Sequence, residues 1–500
     1  MCWALAARRS PPRDLISDGP APLAVIRHFR LQDQLTNVMP EGTIVLRNGS
    51  RLTPHRAADA AVSAGLRELD TIEESTPRRR GFWALTDQGI VSLGNCVTNV
   101  LLARSLTVDD FGTFALLLEA VIFLNSLQAA LVVYPLSIRG AVQDRHGVKR
   151  LAGACLLLTL GLAFPMSLAV TCAAGARGIA SIGLLAGVAM LLWQCHETLR
   201  RAMMAQGGFR AAVVGDVISY VGQAVGVAAL AAMGALTVPR AFCVIGLTSG
   251  LGIIVQVCQI GPSFAGLSRV RDVARDFWRF GRWVLLGNLT TLVTTLGCSW
   301  TLAIFHGRGA VGEFQALANF LKLSNPLFIC VAGLIVPAAA LALADGGLPA
   351  ARQVAVRYAL RAAVGLAPYY LVLFVFPTSA LRWLYGHQSH YGALGHELRA
   401  FVLWYAALFV AMIGQSLLNA IQKSHRTFVA QIAHAAAVIF VALPLTAVYG
   451  LDGLMLGGVI GNIVLAAACL SLVRRLEERH DDSHARLVVR EMLASARLAA

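Results

Sequence analysis

The chain has 500 residues, 57% of them in the AVILMFWYC class and 14% charged, with a mean hydropathy of +0.66. A soluble protein is about a quarter charged, so this chain has too little polar surface to cover itself in water; it is a membrane protein. The 42 Lys+Arg against 27 Asp+Glu, a formal +15, would point to nucleic acid in a soluble protein, and here must first be tested against membrane topology.

Residues 1–80 carry twelve Arg, nine acids and several Pro, without a long apolar run. Met1–Ala7 is too short for a signal-peptide core and precedes Arg8-Arg9 instead of following them. This composition predicts a mostly disordered cytoplasmic leader, with a wrongly chosen start codon as the competing explanation. From Gly81 onward the apolar stretches 84–104, 112–138, 151–176, 178–196, 217–239, 241–268, 283–307, 323–344, 362–381, 400–422, 427–451 and 453–473 each meet or approach the ~20 residues that cross a bilayer as a helix. They predict an all-α polytopic protein of twelve transmembrane helices. A first six-helix bundle occupies 81–261, a linker 262–282, a second six-helix bundle 283–475 and a cytoplasmic tail 476–500. In the linker, Val270, Val273, Ala274 and Phe277 fall at helical spacing with Arg opposite, a pattern for an amphipathic helix on the cytoplasmic leaflet or for a plain solvated connection.

Charge supports this count. The segments on one side carry two to five basic residues each, from Arg78-Arg79-Arg80 through to Arg474, Arg475 and Arg479. The segments on the other side carry fewer, Arg104, Arg177, Arg240 and Arg308 singly and Arg382 with Arg399 beside the next span, and none near Tyr449. Positive residues stay inside, so both termini are expected in the cytoplasm of an inner-membrane protein, and most of the +15 is topology. Nucleic acid is not an expected partner; membrane lipid is.

The two halves share a pattern. Gly112-x-Phe114, Asn125 and Pro135 recur as Gly312-x-Phe314, Asn325 and Pro337, and Gly94-Asn95 has its counterpart in Gly287-Asn288. Parallel six-helix repeats are a transporter device with the substrate site at their interface. The run Phe82-Trp83-Ala84-Leu85-Thr86-Asp87-Gln88-Gly89-Ile90-Val91-Ser92-Leu93-Gly94-Asn95, with Asn99, Ala103-Arg104 and Phe111-Gly112-x-Phe114-Ala115-Leu116, resembles the opening of Wzx-type polysaccharide flippases of the multidrug/oligosaccharidyl-lipid/polysaccharide (MOP) exporter superfamily. Glu197, Arg200-Arg201, Arg210, Asp216, Ser219-Tyr220 and Gln223 fit the same pattern. The resemblance covers roughly 81–475. It implies two six-helix bundles forming a V that carry lipid-linked oligosaccharide across the inner membrane by alternating access.

Ionisable groups at membrane depth cost roughly 2.5–3.5 kcal/mol on insertion scales and are functional candidates for that reason. Lys322, ten residues past Gly312, lies ~15 Å into its span. Gln315, Asn319 and Lys322 fall on one helical face with Asn325 nearby, a polar stripe suited to phosphate. A structural pair of Lys322 with Glu119 is the alternative. In the first span, Gln88, Ser92, Asn95 and Asn99 form a second stripe, read as cavity lining against plain helix–helix hydrogen bonding. Asp87 at its inner mouth and Arg104 at its outer end are gate candidates, although Arg104 also suits a residue snorkelling to the surface. Glu197, Arg200, Arg201 and Asp216 gather at the cytoplasmic ends of the fourth and fifth spans, where pairing that fixes the loop explains them as well as gating or ion coupling does. Pro135, Pro165, Pro326, Pro337 and Pro444 should bend their helices.

Chemistry other than transport finds little support. None of the three lysines follows a glycine, so no Walker A loop exists, and no CxxC pair occurs among the ten cysteines. His387, His390, His396 and Glu397 lie in and beside an outer loop without a second cluster, so solvated histidines are expected there and no metal, cofactor or catalytic residue is assigned. The reading expected is a flippase for a polyprenyl-pyrophosphate-linked oligosaccharide, with a polysaccharide polymerase and glycosyltransferases as candidate partners. The alternatives are a cation-coupled multidrug antiporter of the same superfamily and a membrane-embedded enzyme of glycan assembly. The outer loops, none longer than the seventeen residues of 378–394, leave little room for the last.

Overall fold

A computed structural model describes residues 35–38, 44–46, 51–52, 77–264, 270–421 and 423–499. Most of the leader expected to be disordered lies outside these. Within it, Leu35–Val38 (β1), Ile44–Leu46 (β2) and Arg51–Leu52 (β3) make a small antiparallel sheet in the order β1-β2-β3, which the composition did not announce. The leader and the helical body are separate units.

The body is helical throughout its described length. The first six helices are α1 (Pro77–Ser105), α2 (Val108–Ala141), α3 (Arg145–Gly175), α4 (Ala180–Ala205), α5 (Phe209–Ala232) and α6 (Val238–Ile260). Caps set several starts: the Thr107 hydroxyl accepts from the Asp110 amide at 3.1 Å, and the Asp144 carboxylate from the Gly147 amide at 2.8 Å. Three long rods follow, each interrupted where glycine backbone leaves the helical region: Gly307, Gly346 with Gly347, and Gly450. They divide into α7 (270–306), α8 (308–345), α9 (348–375), α11 (424–449) and α12 (451–499), with α10 (Gly395–Ala420) between. A short helix, Pro377–Tyr385, and a turn, His390–Ala393, connect α9 to α10.

Among the described residues twelve long helices result, as the apolar stretches predict, but their limits differ. α1 starts at Pro77, inside the region assigned to the leader, and α12 continues to Ala499 through the expected tail. The linker helix is continuous with α7 from Val270, with no break at residue 282. Its apolar face is docked: Phe277, 2% exposed, and Val273 pack into the core of the first bundle, while Arg139 and Asp276 form a bidentate pair at 2.8 and 2.9 Å. This departs from a solvated connection, because Leu136, Leu199 and Ile260 supply an apolar surface that Phe277 can cover.

Two of the five predicted proline bends share a form, whereas Pro165 and Pro337 lie within continuous α-helix. A wide π turn at 129–133 directly precedes Tyr134-Pro135, and another at 438–442 precedes Leu443-Pro444. Widening the turn before proline relieves the clash of its ring with the carbonyl one turn back. α8 bends at Leu323-Ser324, just before Pro326.

The cores are distributed unequally. Where the arginine-poor turns lie, one cluster runs through both bundles, from Phe111, Phe114 and Phe242 to Leu317, Phe320 and Phe401. A second, with Ala115, Leu302, Val311 and Leu454, also joins them. Towards the arginine-rich end each bundle has its own core, around Leu136, Ala152 and Leu199 in the first and around Ile335, Ala351 and Leu418 in the second. The bundles therefore share their cores at one end, and toward the other it is the start of α7 that stays against the first bundle, with Gly281 close to the Ala130 carbonyl and Asp276 paired to Arg139.

Candidate functional site

The joined end is organised by the repeated glycines. A Cβ on Gly112 would lie 1.8 Å from the Arg308 carbonyl oxygen, and one on Gly312 2.3 Å from that of Val108. The contact is reciprocal: each glycine of the repeat meets the carbonyl four residues before its counterpart. Only glycine lets two helix backbones approach this closely. The Arg308 guanidinium donates to the Thr113 hydroxyl at 3.3 Å beside it, and Glu313 meets His390 of the His390–Ala393 turn at 2.5 Å.

Deeper along the same helices lies a chain of polar groups. Glu119 of α2 accepts from Gln315 Nε2 of α8 at 2.5 Å and from Ser299 Oγ of α7 at 3.0 Å. Lys322 donates to Gln315 Oε1 at 2.7 Å. Glu119 thus reaches from the first bundle to two helices of the second, and Gln315 stands between it and Lys322, which differs from a direct Lys322–Glu119 pair. Lys322 is exposed, whereas Gln315 and Asn319 are 8% and 5% exposed. Cys96 of α1 and Glu119 of α2 are within electrostatic reach of the ammonium, so Lys322 of the second bundle faces the first.

The stripe is not uniform. Asn319 turns into the second bundle, donating to the Tyr385 hydroxyl at 3.2 Å, and Tyr385 in turn donates to the Ala316 carbonyl at 2.8 Å. Residues four apart on a helix differ by about 40°, enough to place Gln315 and Asn319 on different neighbours. Asn325 lies within bonding reach of the Tyr405 hydroxyl, and Tyr370 donates to Ser324 at 2.8 Å. This lining of tyrosines had no signal in the sequence beyond the pair Tyr369-Tyr370. On α1, Gln88 is exposed and Ser92, Asn95 and Asn99 are half-buried. Their bonds are local, Gln88 to Ser92 at 3.3 Å and Asn99 to the Asn95 carbonyl at 2.9 Å. Cys96, next to Asn95, places this part of α1 beside Lys322. Arg104 is exposed in the last turn of α1, outside the chain of bonds around Lys322.

Asp87 requires a correction. It is 3% exposed and lies inside the first bundle, not at an open mouth, bonded to Arg200 Nη2. Arg200, 4% exposed, also donates through Nε to Asp216 at 2.6 Å and through Nη1 to Glu197 at 3.0 Å, and Arg201 meets Glu197 at 2.5 Å. The residues read as a loop cluster and the residue read as a gate form one buried site. A guanidinium inside the bundle must have its charge and its planar donors satisfied at once, and three carboxylates converge to do this. Three carboxylates face two guanidiniums, so the cluster has one excess negative charge when all are ionised. His196 and Gln256, unnoticed in the sequence, close it: His196 Nε2 stands 3.6 Å from Asp216 Oδ1 and 3.1 Å from Gln256 Nε2. Asp87 and Asp216 lie within bonding reach of each other, and among the described residues their Oδ1 atoms are buried and accept from no donor. The π turn of α5 begins at Val217, next to Asp216, and this is where such distortions gather at functional sites.

No family model and no curated protein matches the chain. Solved structures do match in fold. An inward-facing multidrug resistance MATE family transporter of the MOP superfamily aligns with a TM-score of 0.63 at 14% identity, covering 80% of this chain and 99% of that one. A MOP superfamily transporter from Pyrococcus furiosus, described as having a binding pocket of reverse polarity that suggests a different function, gives 0.57 at 14% identity, over 79% and 93%. An outward-facing MATE structure gives 0.56 at 14% identity over the same shares. The helical body, Trp83 onward, therefore has the fold of MATE transporters of the MOP superfamily.

Proposed function

We propose that the chain is an alternating-access transporter that flips a polyprenyl-pyrophosphate-linked oligosaccharide across the inner membrane. The observation that carries this reading is Lys322: an exposed lysine between the bundles that, among the described residues, directly contacts a carboxamide and no carboxylate. A cation so placed suits a phosphate headgroup and repels a cationic drug. Half-buried Asn95 and Asn99 and the hydroxyls of the Tyr369–Tyr405 region offer partners for sugar hydroxyls, and the lipid tail stays in the bilayer. The P. furiosus protein of this fold, with its pocket of reverse polarity, supports treating pocket charge as what separates functions within the fold.

In the orientation that the arginines favour, the arginine-rich end and both termini are cytoplasmic. The bundles then part toward the cytoplasm, in keeping with the higher TM-score to the inward-facing structure. The excess negative charge around Arg200 supplies a place for a coupling proton, through Asp87 and Asp216. Polysaccharide polymerase and glycosyltransferases remain the candidate partners. A Lys322→Ala protein should reach the membrane at the normal level and fail to restore polymer export in a deletion strain, with lipid-linked intermediates accumulating on the cytoplasmic side. Full export by this variant would remove Lys322 from the mechanism.

One observation favours a second reading, a cation-coupled multidrug antiporter: two of the matched structures are of multidrug resistance transporters. A drug-susceptibility panel on an expressing strain separates the two. Resistance to cationic drugs that survives Lys322→Ala would favour the antiporter.

A further inference from the structure

We infer that Gln315 is a positioning residue through which an anion at Lys322 unlatches the two bundles at their joined end. The inference rests on the reading of Lys322 as the anion-binding side chain and adds to it a way for cargo to move the gate.

Glu119 holds α2 to the second bundle at membrane depth, by its bonds from Ser299 and Gln315, between the Arg308–Thr113 bond at the joined end and the Arg139–Asp276 pair at the other. Both bonds fall on Oε1, and among the described residues Oε2 has no hydrogen-bond partner, so the described grip runs through that one oxygen. Gln315 has its acceptor committed to Lys322 and its amide donor to Glu119. The ammonium polarises the carboxamide and makes it a stronger donor to the carboxylate, so the two bonds support each other. An anion that takes the ammonium removes the bond to Oε1, frees the carboxamide to rotate and sets a second negative charge beside Glu119. All three effects weaken the same grip. Glu119 is seven residues past Gly112, and Gln315 three past Gly312, so the grip lies immediately behind the glycine contact. By linkage, a seam that opens when the anion binds must also bind the anion more tightly when it is open.

The test uses the full chain in lipid nanodiscs, with spin labels at Met233 in the first bundle and His387 in the second, both exposed near the joined end, in a background freed of other reactive cysteines. Farnesyl pyrophosphate and inorganic pyrophosphate are the probes. Saturating farnesyl pyrophosphate should raise the open-to-closed ratio about tenfold or more, within the 5–150-fold range of ordinary coupling. Inorganic pyrophosphate should reproduce the shift, because the latch reads charge; a shift that needs the prenyl tail overturns it. Gln315→Leu should open the seam without probe, lose the response and bind probe more tightly by a similar factor. Ser299→Ala removes one of the two donors and should produce a smaller opening of the same sign, which keeps the test available if the first variant does not fold. Probe binding that survives Lys322→Ala removes the anion site and the inference with it. Binding that needs Lys322 but leaves the label distance unchanged overturns the latch alone.

Discussion

Gly112→Ala places one methyl group where two helix backbones touch. Its Cβ would lie 1.8 Å from the Arg308 carbonyl oxygen and 2.7 Å from the carbonyl carbon, where ordinary contact begins at 3.4 Å. The obstacle is backbone, which no rotamer change removes, so α2 and α8 must separate by about 1.6 Å at this point. Forced overpacking costs about 1–3 kcal/mol, and at 1.4 kcal/mol per decade the closed seam loses roughly 5- to 150-fold in population. Cys298 is a native reporter. It is 7% exposed and packs with Ala115, Leu302 and Val311 between the bundles, so its thiol meets water when they part. Labelling by a water-soluble maleimide, read on the Cys298 peptide by mass spectrometry, should accelerate at least fivefold in Gly112→Ala. Gly89→Ala is the control, because a Cβ there has nothing within 4 Å. A folded Gly112→Ala protein labelled at the wild-type rate would refute the closed seam.

Three further outcomes are expected. Arg200→Met leaves Asp87 and Asp216 buried without their shared cation, a loss of about 3–5 kcal/mol that should appear as a large fall in detergent-solubilised Tm; adding Asp216→Asn should restore part of it. Phe277→Ala should cost about 3–5 kcal/mol and detach the linker helix, measured as faster hydrogen exchange over 270–282, whereas Arg139→Ala, which removes an exposed ion pair, should leave exchange there near the wild-type rate. Tyr385→Phe removes the hydroxyl shared by Asn319 and the Ala316 carbonyl, and should lower Tm by an amount equivalent to about 1 kcal/mol.

Much of the architecture is legible in the sequence because bilayer thickness imposes a length on every apolar run and the arginines alternate between its ends. The repeat is legible too: Gly112 and Gly312 stand out by spacing, although nothing in the sequence says that they touch. What escapes is whatever depends on contacts across long separations. Asp87 is 113 residues from Arg200, and no local pattern joins them. Asn319 and Lys322 share a helical stripe, yet one serves the bundle interior and the other the open space. Ser299 and His196 are ordinary residues until Glu119 and Asp216 are placed against them. The linker's apolar positions reveal a buried face without saying whether lipid or protein covers it; Ile260 and Leu136 do.

The unequal cores impose a mechanical bias. Spreading the arginine-rich end further disturbs only the seat of the start of α7 on the first bundle, around Phe277, whereas parting the opposite end strips protein neighbours from Phe111, Phe114 and Phe242 on one side and Leu317 and Phe320 on the other. At about 25 cal/mol per Å² of apolar surface, separating even a few hundred Å² opposes that motion by several kcal/mol. A molecule so built has a preferred resting posture and returns to it unaided. Work is needed on one stroke of the cycle, and whatever the protein carries or couples to must be strongest on that stroke.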